Sequence, residues 1–276
     1  MPRGARSRRR TVLVAALACL GGAAAVLALL QLRPPGGDPP GERAGTGSGL
    51  VLAGADVDRE TDVVADWTLD GASQPPIPGW RSAVATVEVR NDGARPLRLT
   101  GAGFLFGTAT ELGCPYGAGT SRILPRYDVR VPSGRTLPFT LTRPLDLTLP
   151  AGGARDLAFT VGPEASPDGS LPVVFSFTVT LSAADGSRVT TPTLTLLNPA
   201  DTRPVLYAAE SSVRDGTGPT TPTCLREQSA RAQALLAAGG EISPGLKRYA
   251  AGLARLTGPE PTSKPTPTPT LEPERS

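Results

Sequence analysis

The chain contains no histidine, and its only methionine is Met1. A Ser-His-Asp or Cys-His nucleophile pair is therefore excluded. Imidazole-based zinc sites and His/Met copper sites are excluded as well. So is a histidine pH switch. Aromatic residues are scarce, at 4 %, so whatever core the chain builds has few large rings to use. Lysine occurs only at Lys247 and Lys264, among 28 basic residues. That skew towards arginine, with abundant alanine, glycine and proline, is the imprint of a GC-rich bacterial genome rather than of a binding surface. Cysteine is limited to three positions, Cys19, Cys114 and Cys224.

The basic charge is local. The formal net charge is +3, but Arg3, Arg6, Arg8, Arg9 and Arg10 all fall within the first ten residues, and without them the remainder stands at −2. The body of the protein thus lacks the positive field that phosphate-driven nucleic-acid binding needs, and no nucleic-acid partner is expected.

Directly after the arginines comes the longest apolar run. Thr11 to Leu32 is 22 residues without a charge. As a helix it would be roughly 33 Å long, enough to cross a hydrocarbon core. The charge asymmetry around it places the N-terminus in the cytoplasm and the rest outside. Three fates compete. Ala23-Ala24-Ala25 offers a cleavage site, but cutting there leaves an exposed "VLALLQL". Cys19 follows Ala16-Leu17-Ala18, a poor lipidation site. An uncleaved anchor fits the length best. Arg9-Arg10-Thr11-Val12-Leu13 also resembles a twin-arginine export signal, with Arg9 and Arg10 as the pair. That resemblance implies export of an already folded domain.

Pattern and punctuation divide the chain into a basic cytoplasmic tail (1–10), a transmembrane or signal-anchor helix (11–32), a disordered linker (33–49), a β-sandwich domain (50–204), a loop with two short helices (205–257) and a disordered Pro/Thr-rich tail (258–276). Within 50–204 the apolar residues recur with period two. Ala85, Val87 and Val89 alternate with polar neighbours; so do Tyr127, Val129 and Val131, and Val173, Phe175, Phe177, Val179 and Leu181. Separate strands are expected at 137–141 and 145–149. Asp185-Gly186 predicts a hairpin. Val189 is odd-numbered while Leu194 and Leu196 are even, so a bulge or edge is expected near Pro192. Clean alternation argues for antiparallel pairing. The fold class is thus mainly β, a sandwich with an N-terminal transmembrane helix and a short C-terminal helical hairpin. The strand and turn texture from Ser82 to Leu197 resembles bacterial immunoglobulin-like or fibronectin-type modules of envelope proteins. That resemblance implies an immunoglobulin-like sandwich.

After Pro204 the period becomes helical. Leu225, Ala232, Leu235 and Leu236 share one face, and Ser243-Pro244 reads as an N-cap before Leu246, Tyr249, Ala250, Leu253 and Leu256. Such short helices need packing against the sandwich or a partner.

Few residues suggest chemistry. Cys114 and Cys224 are the only cysteines beyond the apolar run, and in an exported chain they are expected to pair. "DVDRETD" puts Asp56, Asp58, Glu60 and Asp62 at alternate positions, loosely like a calcium loop. Thr61 and Trp67, however, stand where such a loop needs Gly and Glu, and the competing reading is a solvated connector. Trp67 and Trp80 could line a sugar groove or pack a strand. Ser243 and Lys247 read as a cap beside a solvated lysine. No spacing singles out a catalytic residue, and no cofactor is expected. The chain is expected to be a non-enzymatic, single-pass membrane protein presenting its module outside the cell. Its partners would be the bilayer, through residues 11–32, and an envelope protein or glycan. The alternatives are a secreted binding protein and an extracytoplasmic carboxylate-based hydrolase.

Overall fold

The computed structural model describes residues 49–115, 121–167, 171–216 and 220–258. The arginine tail with Arg9 and Arg10, the apolar segment 11–32, nearly all of the linker and the Thr-Pro tail lie outside the described residues. No described helix is long and apolar enough to cross a membrane.

The described body is mainly β. It has two six-stranded sheets and three helices. The first sheet is built on a long hairpin, β1 (Leu50–Leu69) and β2 (Ala72–Asn91). Asp70 and Gly71 close it, both with positive φ (50° and 79°), as the kind of two-residue turn that matches the twist of the flanking strands. β4 (Arg122–Pro125) and β8 (Ser166–Pro167) extend the sheet beyond β1, and β7 (Ala154–Pro163) and β5 (Val129–Val131) beyond β2. The second sheet runs β12 (Glu241–Ile242), β11 (Leu194–Asn198), β9 (Val173–Ala183), β3 (Leu97–Glu111) and β6 (Phe139–Leu149), with β10 (Arg188–Thr190) pairing β9.

Period-two alternation drives this arrangement. Val87, Val89, Phe159 and Val161 point from the first sheet, and Phe104, Phe106, Phe175, Phe177, Val179 and Leu181 from the second, into one shared core. All six phenylalanines of the chain belong to or pack against it. The sheets meet where the Phe104 and Phe159 rings pack edge to face, their centroids 5.1 Å apart. Asn198 adds a polar tie between them. Its side chain accepts from the Ala83 N–H at 2.8 Å and donates to the Val161 carbonyl.

The chain crosses between sheets at two loops on one end, 92–96 and 150–153. Buried Asn91 holds both: its amide donates to the carbonyls of Arg95, Leu149 and Pro150. The Asp185-Gly186 hairpin is present, with Gly186 at φ 87°. The phase slip near Pro192 is present too. Val189 pairs with Leu181 but Leu194 with Phe177, one residue out of step. Thr191 bridges the slip, accepting from Val179 N–H through its hydroxyl.

Four details depart from expectation. The sheets are not wholly antiparallel: β5 pairs β7, and β12 pairs β11, in parallel. The two strands expected at 137–149 are one, β6, and Pro144 sits inside it. It is tolerated because β6 is an edge strand, and the register shifts opposite it between Leu99 and Gly101. Three helices form rather than two: α1 (Arg203–Asp215), α2 (Pro222–Ala237) and α3 (Pro244–Thr257). Finally, α2 and α3 are not joined as a simple hairpin, because β12 lies between them and adds to the second sheet.

The helices enclose a second core. Val205, Ala209, Leu225, Ala232, Leu246, Tyr249, Ala250 and Leu253 pack there on Val174 and Leu197, which project from the side of the second sheet opposite the phenylalanines. Ser243 caps α3 as expected, accepting from the Leu246 N–H, and Lys247 beside it is exposed.

Candidate functional site

Cys114 and Cys224 form a disulfide across a sequence separation of 110, with Cα atoms 6.1 Å apart. Cys114 lies in the loop leaving β3, and Cys224 in the first turn of α2. The bond therefore staples the helical layer to the second sheet. Two hydrogen bonds organise its helical side. Thr221 caps α2 by accepting from Cys224 N–H, and Thr220 donates to the Pro115 carbonyl at 3.0 Å.

The acidic row does not converge. Asp56 pairs with Thr86 but Arg59 pairs with Val84, so β1 carries an extra residue between them. A one-residue slip moves side chains to the other face. Glu60 and Asp62 consequently sit on the side of the hairpin that continues the core face, while Asp56 sits on the opposite one. Arginines then take up the carboxylates. Glu60 bonds both Arg81 and Arg248, and Asp62 bonds Arg81 at 3.1 Å. Asp58 engages Asp56 through its backbone N–H. Among the described residues no group of three metal-ligating side chains is gathered.

The tryptophans pack on the outer half of the hairpin. Trp67 Nε1 donates to the Pro75 carbonyl at 2.7 Å, and Trp80 Nε1 to the Tyr127 hydroxyl at 2.8 Å. Burial pushes the Tyr127 phenol well above its ordinary range, against the opposing effect of the Trp80 hydrogen bond. Gly162 makes room for that ring, because a Cβ there would lie 2.1 Å from Tyr127 Cε2. Residues 101–107, with their three glycines, are the middle of β3 and not a phosphate loop.

Two of the clefts on the described surface are formed well enough to hold a small molecule, and neither indole borders them. The smaller, about 320 Å³, lies at one end of the sheets and is lined by residues such as Phe139, Val173, Phe175, Arg135 and Glu111. The larger, about 750 Å³, lies between the β1–β2 hairpin and helices α1 and α3. Arg81, Arg203, Arg248 and Arg255 line it, with Glu60 and Asp201 as its only carboxylates among the described residues. Arg203 clasps Asp201 through two bonds of 2.8 and 2.6 Å. That clasp holds the Asp201 carboxyl below the usual carboxylate range. The sequence pattern does not reveal this cleft, because its arginines come from three separate elements. Arg81 belongs to β2, Arg203 to α1, which Pro204 disguises as loop, and Arg248 and Arg255 to α3. The one available signal is Arg248 and Arg255, seven apart on a helix that buries its other face.

Comparisons of the chain with protein-family models, with curated proteins and with solved structures return no match. The class the fold defines is therefore the coarse one: a mainly β protein of two sheets sharing a core, with a disulfide-tied helical layer.

Proposed function

We propose that the chain is a non-enzymatic, membrane-anchored protein that presents an immunoglobulin-like module outside the cytoplasm for binding or envelope assembly. The observation that carries this reading is the Cys114–Cys224 disulfide. Such bonds form and persist in oxidising compartments, and a cytosolic protein would keep the two thiols reduced. The five arginines followed by an uncharged stretch of 22 residues supply the matching means of export and retention. Two sheets joined face to face through a single aromatic core support the immunoglobulin-like description. A binding role is favoured over carboxylate hydrolysis by the larger cleft. Its two carboxylates, Glu60 and Asp201, are both engaged by arginines, and Asp201 is held in its charged form. A general acid needs the opposite, a carboxyl whose proton is retained near neutral pH.

Lys247, one of only two lysines, is exposed on α3 and gives a direct test. A membrane-impermeant amine reagent added to intact cells should label Lys247, and the labelled protein should stay in the membrane fraction after an alkaline wash. Labelling that appears only after lysis would place the module in the cytoplasm and end the proposal.

A further inference from the structure

Three of the four arginines in the larger cleft are brought together by one close helix contact. A Cβ on Gly252 of α3 would lie 2.5 Å from the Leu206 side chain of α1, which marks how closely the two helices meet. Arg203 then faces Arg248 and Arg255. These last two are seven residues apart, two helical turns or about 10 Å along one stripe of α3. Ala251 lies between them and leaves the floor of the cleft open. Arg81 closes the opposite wall from β2.

The charges do not cancel. Four guanidinium groups line the cleft with two carboxylates, and Asp62, paired with Arg81 from beside it, leaves a surplus of one positive charge. Glu60 is shared between Arg81 and Arg248, each of which has N–H donors to spare. Arg255 has no ion pair among the described residues. Arg203 and Arg248 have side-chain exposures of 88 % and 58 %, and each keeps N–H donors that its carboxylate partner does not take. Planar guanidinium forks match the oxygens of phosphate in paired bonds. The volume falls in the range of small-molecule sites. Among the described residues no aromatic side chain lines the cleft, so they offer no platform on which a nucleobase could stack.

We propose that this cleft binds a phosphorylated, non-aromatic ligand, a sugar or polyol phosphate bearing at least two negative charges. The inference rests on the binding role proposed for the module but not on its compartment. Calorimetric titration of the full-length chain at low salt, with fructose 1,6-bisphosphate as the probe, tests it. Citrate and ATP serve as comparators for charge alone and for a base-bearing phosphate. The bisphosphate should bind more tightly than either, and more weakly as salt rises. Arg203→Gln and Arg255→Gln should each weaken binding about tenfold, a typical loss for one charge-assisted contact. Arg255→Gln should melt like the unaltered chain, since it breaks no ion pair among the described residues. Arg98→Gln, on the distant Arg98–Asp146 pair, should bind like the unaltered chain. Binding that survives the Arg203→Gln/Arg255→Gln double variant would overturn the site. Citrate or ATP binding as tightly as the bisphosphate would overturn the ligand class. Absence of bisphosphate binding, with Lys247 labelled from outside intact cells, would discard this cleft while leaving the location standing.

Discussion

The two cores of this protein are held in different ways. The core between the sheets is made by alternation: alternate residues of the second half of β2 and of β3, β7 and β9 point inward, and all six phenylalanines gather there. The core beneath the helices has no phenylalanine. Its largest buried side chain is Tyr249, and it relies on leucines, alanines, a close glycine contact at Gly252 and the Cys114–Cys224 bond. The chain places all six of its phenylalanines where two sheets must be held together. It fastens the second layer covalently. Large rings bring burial and dispersion to a continuous interface, whereas a cross-link acts mainly on the unfolded chain.

That contrast can be attacked from either side. Phe104→Ala should be the most damaging change, because the ring touches Phe159 across the sheets and Phe177 beside it. A loss of about 3–5 kcal/mol is expected, read as a shift in the urea midpoint. Removing the disulfide with Cys114→Ser and Cys224→Ser should cost about 2–5 kcal/mol. The loss should appear first in the helices: hydrogen exchange should quicken in α2 while β9 stays protected. Equal quickening in both would mean that the two layers open as one. A pair of glycine substitutions separates rigid from yielding contacts. Gly162→Ala drives a methyl group into the rigid Tyr127 ring, and a loss of about 1–3 kcal/mol is expected. Gly252→Ala meets only the mobile end of Leu206 and should cost about 1 kcal/mol or less in melting experiments.

The smallest effect is electrostatic. Hydrogen bonds from Arg126, Arg90 and Arg203 hold Asp66, Asp92 and Asp201 below the ordinary carboxylate range, and Ser187 does the same for Asp185. A carboxyl whose pKa is lower in the folded state lends stability that is complete above its unfolded pKa. That stability is lost as pH falls through the folded value. The melting temperature should therefore decline only as the pH falls from the usual carboxylate range down through the lowered values. It should stay level between about pH 5 and 8, where histidine would titrate if the chain had any. The decline should be modest, because these groups are largely exposed and screened by solvent.

Much of the first core was legible in the amino-acid order, and much of the second was not. Val173 to Leu181 could only be a half-buried strand, Asp185-Gly186 could only turn, and the parity change between Val189 and Leu194 announced the slip at Pro192. The outer hairpin was harder to see. Its prolines, Pro75, Pro76 and Pro78, break the alternation there, and they occupy a stretch of β2 that pairs only with β1 among the described residues. On a free edge a missing N–H costs nothing and discourages pairing with another chain. Helix α1 was hidden in the same manner, since Pro204 reads as an end but stands in the first turn, where its missing N–H is harmless. The disulfide was legible from the cysteine count once export was assumed. The arginine cleft was not, because it depends on which helix meets which strand.

The decisive measurement is the oxidation state of Cys114 and Cys224 in protein produced by exporting cells. The cells are quenched with acid, alkylated without reductant, and the protein is digested for mass spectrometry. A Cys114–Cys224 linked peptide is expected, with neither thiol alkylated until reductant is added. Both cysteines recovered as alkylated thiols without reductant would contradict the disulfide-tied helical layer, and with it the placement of the module outside the cytoplasm.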